Sequence, residues 1–277
     1  MFTLNCNGRL LVIDKPLVMG IINATPDSFY EGSRFSGTDK ILAQAEKMIG
    51  EGADILDVGG QSTRPGSEKI SEDEELSRVL ESIEAIHRKF PETIISIDTF
   101  YSTVAKNCVQ AGASIVNDIS SGELDKTMLS TIATLRVPYI AMHMKGTPQT
   151  MQQFSNYENV TREVLDFFIR KKHECNAAGI ADVIIDPGFG FAKTIADNFK
   201  LLNDLPAFKM LEAPLLVGIS RKTSVYKTLG VTPEEALNGT TVLNTIALIN
   251  GATILRVHDV KEAKEAVKLC GAVTGKW

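Results

Sequence analysis

Eight short apolar runs rich in valine and isoleucine alternate along the chain with segments of helical periodicity. The runs begin at Leu17, Asp54, Thr93, Ser114, Pro138, Asp182, Pro214 and Thr253. Such alternation predicts parallel strands joined by crossover helices. Eight units of this kind close a TIM barrel, and the 277 residues of the chain fit the roughly 250 residues typical of that fold. We therefore predict an α/β protein with a (β/α)8 barrel.

Local signals outside the runs support this architecture. Ser71 with Glu74 has the pattern of a capping box at the start of a helix. Asn7 and Gly8 lie between two short apolar runs, which predicts a short N-terminal hairpin that plugs the amino-terminal end of the barrel. A Rossmann arrangement is the alternative, but no GxGxxG follows the first run. Because no linker or change of composition divides the chain, we predict one domain over residues 1–277.

Composition and charge exclude several classes of protein. The net charge of −5 argues against nonspecific binding to nucleic acid or to acidic membranes. The four cysteines are scattered without a CxxC pair, so neither a disulfide framework nor a zinc site is indicated. Asp14, Lys15 and Pro16 interrupt the apolar stretch near the start, which excludes a signal peptide or a membrane span there. We expect a soluble, unprocessed cytoplasmic protein.

Every apolar run ends in a polar side chain. These residues are Asn23, Asp57, Asp98, Asn117 with Asp118, His143, Asp186, Ser220 followed by Lys222, and Arg256 with His258. A strand commonly ends in a polar residue simply because it meets water there. Eight ends of such varied chemistry nevertheless favour a binding site, because the carboxyl ends of barrel strands form one mouth where TIM-barrel chemistry takes place.

Cations at this mouth predict a site for phosphate or pyrophosphate. Lys222 follows the seventh run, and Arg256 and His258 end the eighth, while Arg64 lies in the loop after the second. The loops after strands seven and eight of such barrels frequently bind phosphate, and arginine matches its oxygens with a planar fork of donors. A few local cations could therefore hold an anion within an acidic protein.

The carboxylates at the mouth leave the chemistry open. Asp57, Asp98 and Asp186 could bind a metal, act as acid and base, or accept hydrogen bonds from a ring. A catalytic zinc site is disfavoured because only His143 and His258 fall at run ends. No GxSxG elbow, no run-end cysteine and no Walker motif occurs, so nucleophilic triads and P-loop ATP chemistry have no support.

The segment DPGFGFAKT, which begins at Asp186, is the other unusual feature. Gly188 and Gly190 allow the backbone to approach a ligand closely. Phe189 and Phe191 offer faces for a flat ring. We expect one phenylalanine to point into the core and the other to face the site.

Taken together, several motifs carry a family resemblance. They are GIINATPDSF, DVGGQSTRPGSE, IDT, VNDIS, MHMKGTPQTMQ, DPGFGF, GISRK and RVHDV, in this order from Leu17 to Asp259. In these motifs the chain resembles the dihydropteroate synthase family of pterin-binding enzymes. The resemblance implies a transferase of folate biosynthesis that condenses 6-hydroxymethyl-7,8-dihydropterin pyrophosphate with p-aminobenzoate to 7,8-dihydropteroate and pyrophosphate. It also implies Mg²⁺ as cofactor, small-molecule substrates as partners, a homodimer and a target for sulfonamides.

The resemblance also assigns roles to individual residues. Those implied in the pterin pocket are Asp98, Asn117, Met142, Asp186 and Lys222. Those implied at the pyrophosphate are Asn23, Thr63, Arg64, Arg256 and His258, with Asn23 as the Mg²⁺ ligand. The p-aminobenzoate pocket would consist of Phe29, Pro65, Phe191, Ser220 and Thr223. The residues implied in catalysis are Lys222, Arg256, Arg64 and Asp98.

The implied reaction is dissociative: the bond to pyrophosphate breaks first and the aniline nitrogen then attacks the pterin cation. The loops over residues 25–37 and 59–70 are expected to fold over the site. Two residues depart from the family pattern, namely Gln61, where glutamate is expected, and Ala192, where glycine is common.

Three other functions remain as alternatives at this point. The nearest is a methyltetrahydrofolate corrinoid methyltransferase, which shares the barrel and a similar pterin pocket but has no use for the Arg64 loop. The second is a pterin-binding barrel without catalysis. A metal-dependent barrel aldolase or hydrolase ranks lower because histidine ligands are scarce.

Overall fold

A computed structural model describes residues 1–24, 37–62, 66–275 and 277. The chain opens with the predicted hairpin, in which β1 (Phe2–Cys6) pairs antiparallel with β2 (Arg9–Ile13). Its turn places Asn7 at φ 55° and Gly8 at φ 86°. Asparagine and glycine tolerate this left-handed region best, which explains why the pair marks the turn.

Eight parallel strands follow and confirm the predicted (β/α)8 barrel. They are β3 (Leu17–Asn23), β4 (Ile55–Gly59), β5 (Ile94–Asp98), β6 (Ile115–Asp118), β7 (Tyr139–Met142), β8 (Val183–Asp186), β9 (Leu216–Val217) and β10 (Ile254–Val257). Strands β3 to β8 pair in chain order, and β10 pairs with both β3 and β9. A parallel bridge between Ile185 and Leu215 joins the two ends of the sheet, so the barrel is nearly closed.

Helices connect the strands on the outside of the barrel. They are α1 (Gly37–Gly50), α2 (Glu72–Lys89), α3 (Ser102–Gln110), α4 (Met128–Leu135), α5 (Val160–Ala178), α6 (Ile195–Asn203), α7 (Thr223–Leu229), α8 (Leu237–Ile249) and α9 (Val260–Thr274). Short 3₁₀ segments cover Met151–Phe154 and Leu205–Leu211. None of the helices in the described ranges is long and apolar enough to cross a membrane.

The predicted capping box at α2 is only half formed. The Ser71 side chain accepts a hydrogen bond from the Glu74 amide at 3.2 Å, as the motif requires. The Glu74 carboxylate, however, accepts from the Arg78 guanidinium at 2.5 Å. Because Arg78 lies one turn further along the same helix, this ion pair replaces the expected return bond to Ser71.

The lower half of the barrel interior is apolar and is covered by the hairpin. Leu4, Cys6 and Ile13 of the hairpin pack against one layer of side chains contributed by all eight strands. That layer consists of Leu17, Met19, Ile55, Ile94, Ile115, Ile140, Ile184, Leu216 and Ile254. The hairpin therefore plugs the amino-terminal end, as the sequence predicts.

Alternation along each strand determines which side chains lie above this layer. Side chains two residues apart point to the same face of a strand. Two residues beyond Ile55, Ile115, Ile184 and Ile254 stand Asp57, Asn117, Asp186 and Arg256. The inward face thus changes from apolar to polar between the two ends of the barrel.

Candidate active site

Arg256 lies at the centre of the polar layer and connects two carboxylates. Its Nε donates to Asp57 Oδ2 at 2.6 Å, and one terminal nitrogen, Nη2, donates to Asp98 Oδ2 at 2.6 Å. Asn117 Nδ2 donates to the same Asp57 oxygen at 3.0 Å. The structure therefore brings Asp98, Asn117 and Arg256, which the sequence analysis assigns to the site, around a fourth residue.

That fourth residue, Asp57, is one of three run-end carboxylates whose chemistry the sequence leaves open, and the family resemblance assigns it to no pocket. It is completely buried, and its Oδ1 has no hydrogen-bond partner among the described residues. A buried carboxylate oxygen without a partner is costly unless a ligand or water supplies a donor. The register indicates that Asp57 points inward, because it follows the inward-facing Ile55 by two positions.

The shared charges change the protonation of the cluster. Burial raises the pKa of Asp98 to about 7, against the opposing pull of the Arg256 cation. Burial would lower the pKa of Arg256, but Asp57 and Asp98 outweigh it and hold that pKa above its ordinary high value. Arg256 therefore stays cationic, whereas Asp98 can gain or lose a proton near neutral pH.

Asp186 lies across the mouth and is connected to the loop that follows it. Its Oδ1 accepts from the Gly188 amide at 2.8 Å. Burial raises the pKa of Asp186, while nearby Lys222 and the Gly188 amide oppose that shift. A strand-end carboxylate next to a cation is suited to accept hydrogen bonds from a pair of ring N–H groups.

Lys222 lies against the same loop. Its ammonium donates to the carbonyl oxygen of Phe189 and is 4.7 Å from the centre of the Phe191 ring. Burial lowers the pKa of Lys222 to about 8, although the carboxylates of Asp186 and Asp98 raise it. Lys222 is thus a cation at neutral pH that faces both a carboxylate and an aromatic ring.

The two phenylalanines of this loop separate as expected. Phe189 is completely buried in the main core between barrel and helices. Phe191 belongs instead to a small cluster at the mouth that also includes Phe100, Met142 and Met151. Phe191 and Met142 therefore supply apolar surface beside the polar layer.

The loops after β9 and β10 are bonded to each other. Ser220 Oγ lies 3.0 Å from His258 Nδ1, and the His258 amide donates to Ser220 Oγ at 3.3 Å. Arg221 donates to both carboxylate oxygens of Asp259, at 2.9 and 2.8 Å. This bidentate pair, which the sequence analysis does not anticipate, fixes the two loops relative to each other.

The remaining predicted residues are at the rim or outside the described ranges. Asn23 is exposed at the end of β3, and Thr223 begins α7, with its Oγ1 3.2 Å from the Tyr226 hydroxyl. Four predicted residues lie outside the described residues, together with most of the 25–37 loop: Phe29, Thr63, Arg64 and Pro65. Within the described ranges, no group of three or more histidine, cysteine or acidic side chains is arranged to hold a metal.

Lys193 is a buried lysine within the segment DPGFGFAKT, and the sequence predicts no role for it. It is 5% exposed, and its ammonium lies 3.0 Å from His143 Nδ1. Burial lowers the pKa of Lys193 to about 7 and holds the pKa of His143 well below its ordinary value. His143, predicted at the mouth as a run-end residue, is thus buried against Lys193.

Glu75 is a second buried ionisable group that the sequence analysis does not identify. Glu75 lies in α2 and is 1% exposed. Its carboxylate accepts a hydrogen bond at 2.8 Å from the hydroxyl of Thr99, the residue that follows Asp98. Burial raises the pKa of Glu75 to about 8. At neutral pH this side chain is therefore mostly protonated.

Comparisons with known proteins agree with the geometry of the site. A sequence model of the family described as pterin binding enzyme matches residues 19–258. The dihydropteroate synthase of Escherichia coli (strain K12) is 43% identical over 267 residues, which cover 96% of this chain and 94% of that protein. The mitochondrial folate synthesis bifunctional protein of Pisum sativum is 41% identical over 284 residues and 96% of this chain, which spans 55% of the pea protein. The solved dihydropteroate synthase of Xanthomonas albilineans with 4-aminobenzoic acid is 39% identical, with a TM-score of 0.92 over 98% of each chain.

Proposed function

The chain belongs to the pterin-binding enzyme family, among its dihydropteroate synthases, and we propose in detail how its barrel mouth carries out that reaction. It is a transferase of folate synthesis that joins 6-hydroxymethyl-7,8-dihydropterin pyrophosphate to p-aminobenzoate and releases pyrophosphate. The observation that carries the proposal is the polar layer in which Arg256 connects Asp57 and Asp98. Beside it, Asn117 and Asp186 supply hydrogen-bonding groups for a flat heterocycle.

The pterin ring is proposed to lie in this layer between carboxylates and amide. Asp186 accepts from adjacent ring N–H groups, while Asn117 can both donate and accept. The Oδ1 of Asp57, which has no partner among the residues that the structure describes, adds a further acceptor inside the barrel. Met142 and Phe191 pack against the faces of the ring, and Lys222 reaches its polar edge.

The pyrophosphate is proposed to lie above the ring, beside Arg256 and His258. Arg256 uses two nitrogens for carboxylates, so its other terminal nitrogen, Nη1, is without a hydrogen bond to the described residues. Thr63 and Arg64 of the second loop are proposed to complete this subsite. Each charge-assisted hydrogen bond contributes about 1.5–3 kcal/mol, so two or three of them bind the leaving group firmly.

Mg²⁺ is proposed as the cofactor at the same subsite. Asn23 is exposed at the end of β3, and its amide oxygen fits a cation that keeps most of its waters and takes few protein ligands. When bound, Mg²⁺ supplies positive charge to the leaving pyrophosphate.

The p-aminobenzoate is proposed to bind above the pterin against Phe191, Ser220 and Thr223, with Phe29 and Pro65 completing the pocket. Ser220 is buried and held by His258, so its hydroxyl has a defined position. The 59–70 loop is proposed to close over this pocket and limit the access of water. The sulfonamide class of inhibitors is expected to compete for the same space.

The proposed chemistry needs leaving-group stabilisation more than a strong base. The C–O bond to pyrophosphate breaks with its electron pair on oxygen, where Arg256 and Lys222 lie near the developing charge. Asp98, close to the proposed ring, balances the positive charge that develops on the pterin. The aniline nitrogen then forms the new C–N bond and loses a proton, which completes 7,8-dihydropteroate.

Assembly, domain organisation and location extend the proposal. Val242, Ile246 and Ile249 form an exposed apolar row on α8, at 50%, 38% and 56% exposure. Such a row favours a homodimer through the outer helices.

The chain is proposed to act as one domain over residues 1–277. The four cysteines are free and buried, which supports a reducing cytoplasmic location.

The experiment that tests this function follows pyrophosphate and pterin products together. Purified protein receives the pterin pyrophosphate and Mg²⁺, with and without p-aminobenzoate, and products are separated by chromatography. Dihydropteroate formed in equal amount to pyrophosphate supports the proposal, and a sulfonamide should suppress it. Tight pterin binding with no product would contradict it and favour a barrel that only binds.

A further inference from the structure

The ammonium of Lys193 is buried among acceptors of two neighbouring segments. Besides His143 Nδ1 at 3.0 Å, its Nζ lies 3.0 Å from the Gly188 carbonyl oxygen and 3.1 Å from that of Phe191. The carbonyl oxygen of His143 is a fourth neighbour at 3.4 Å. No carboxylate of the described residues forms an ion pair with Lys193, although Asp186 acts on it at longer range. Lys193 therefore occupies a cradle of three backbone oxygens and one imidazole nitrogen.

These contacts fix one turn, residues 187–192, onto the end of β7. The turn contains Gly188 at φ 72° and Gly190 at φ 81°, followed by Ala192 at φ 48°. A side chain at Gly188 would place its Cβ 2.0 Å from the His143 carbonyl oxygen. The turn thus lies directly against β7, and the Lys193 ammonium bonds the two segments together.

The other side of the same turn touches the proposed pterin pocket. Lys222 donates to the carbonyl oxygen of Phe189 and lies over the Phe191 ring. Asp186 accepts from the Gly188 amide. Successive carbonyl groups of one turn therefore bind two different ammonium groups, one inside the protein and one at the mouth.

We propose that Lys193 is a positioning residue for pterin binding, which acts through the 187–192 turn on Lys222 and Asp186. This inference rests on the proposed function, because it assumes that the mouth binds a pterin. Without the buried ammonium, the Gly188 and Phe191 carbonyl groups lose a shared donor. The turn then moves away from β7, and the partners of Lys222 and Asp186 move with it.

Lys172 offers a matched control at the other end of the barrel. Its ammonium also donates to a backbone carbonyl oxygen, that of Leu211. Lys193→Met and Lys172→Met each replace a lysine by an unbranched apolar side chain. Each change therefore removes hydrogen bonding from the ammonium to a backbone carbonyl oxygen. Only the first bond lies next to the pterin pocket.

The test measures affinity for 6-hydroxymethylpterin by calorimetric titration, together with the melting temperature of each variant. We expect Lys193→Met to weaken pterin binding at least tenfold, and Lys172→Met to leave it within twofold of wild type. Lys193→Gln, which keeps two N–H donors without the charge, should fall between wild type and the methionine variant. A purely structural role would lower the melting temperature in both methionine variants without separating their affinities.

Pterin affinity within twofold of wild type in folded Lys193→Met would overturn the inference and leave the proposed function intact. If that variant does not fold, Lys193→Gln and His143→Leu decide the matter, because each removes part of the cradle. Unchanged pterin affinity in both contradicts the positioning role, and a loss in both supports it. Failure of the wild-type protein to bind the pterin would instead contradict the proposed function itself.

Discussion

The inward-facing positions of the barrel strands are apolar at the amino-terminal end of the barrel and polar at the carboxyl-terminal end. At the amino-terminal end these positions carry Ile55, Ile115 and Ile184, which pack against the hairpin. Two residues later the same strands present Asp57, Asn117 and Asp186. Apolar burial stabilises the fold at one end, and at the other buried charge is held only because neighbouring charges and hydrogen bonds compensate it. We therefore expect substitutions at the two ends to affect different measurable properties.

The largest expected effect on activity comes from Arg256→Ala at the mouth. The change removes the cation proposed to stabilise the leaving group, so kcat/KM should fall about 10²–10³-fold. It also leaves Asp57 and Asp98 as buried carboxylates without their partner, which should cost about 3–5 kcal/mol of unfolding free energy at neutral pH. Steady-state kinetics and urea unfolding measure the two effects.

Arg9→Ala is the matched control at the other end of the barrel. Arg9 forms an exposed ion pair with Glu92 at 3.1 Å, with the Glu92 side chain 89% exposed. Removing an exposed pair should change stability by less than about 1 kcal/mol and leave kinetics unchanged. An Arg256→Ala enzyme with near wild-type kcat/KM would contradict the role of the mouth.

Ile184→Ala should lower stability but leave activity nearly unchanged. Ile184 is completely buried in the apolar layer beneath Asp186. Removing three buried carbon atoms there should cost about 2–5 kcal/mol, because a cavity remains in the barrel interior. Below the unfolding transition, kcat/KM should stay within threefold of wild type. A loss of activity comparable to that of Arg256→Ala would show that stability and activity do not depend on different ends of the barrel.

Glu75→Gln should alter how stability depends on pH. Burial raises the pKa of Glu75 from its ordinary 4.5 to about 8, although Thr99 and Arg78 oppose the shift. Between these values the folded protein keeps a proton that the unfolded chain releases. The contribution of Glu75 to stability is therefore full below pH 4.5 and declines toward pH 8, by up to about 1.4 kcal/mol per pH unit.

In the Glu75→Gln variant this decline should be absent, so its unfolding free energy should exceed that of wild type increasingly as pH rises from 5 to 8. Unfolding at several pH values provides the comparison. Glu81→Gln, on the exposed side of the same helix, is the control and should follow the wild-type curve. A Glu75→Gln curve parallel to wild type would mean that Glu75 does not hold the extra proton.

The smallest effects are expected from two residues with left-handed backbone. Arg136 ends α4 at φ 56° and is exposed, so Arg136→Gly should stabilise by about 0.5–1 kcal/mol through relief of strain. Ala192 at the mouth has φ 48° but is completely buried. In Ala192→Gly, relief of strain is offset by about 0.8 kcal/mol of lost methyl burial. Thermal unfolding should therefore separate the two variants by roughly 0.5–1 kcal/mol, and equal shifts would contradict this assignment.

Much of the fold could be predicted from the sequence because the signals are local. Each of the eight apolar runs contains one barrel strand, down to the two-residue β9. The run ends also indicate the mouth and include Asp57, which the register two residues beyond Ile55 directs into the barrel.

The side-chain pairs of the site could not be predicted, because they are contacts between segments far apart in the chain. The Lys193–His143 contact joins residues separated by 50 positions, and the Arg256–Asp57 bond spans 199. No local pattern determines such pairs, because packing of the whole barrel selects them. The half-formed capping box at α2 shows the same limitation on a smaller scale, since Glu74 has two possible partners, Ser71 and Arg78, about one turn away on either side.

One measurement tests the division between the two ends most directly: the rise in unfolding free energy caused by 6-hydroxymethylpterin in wild type, Ile184→Ala and Asp186→Asn. A ligand that binds only the folded state at 100 times its Kd stabilises it by about 2.7 kcal/mol, whatever the stability without ligand. We expect the full rise in the destabilised Ile184→Ala protein and little or no rise in Asp186→Asn. Equal rises in both variants, or loss of the rise in Ile184→Ala, would contradict this division.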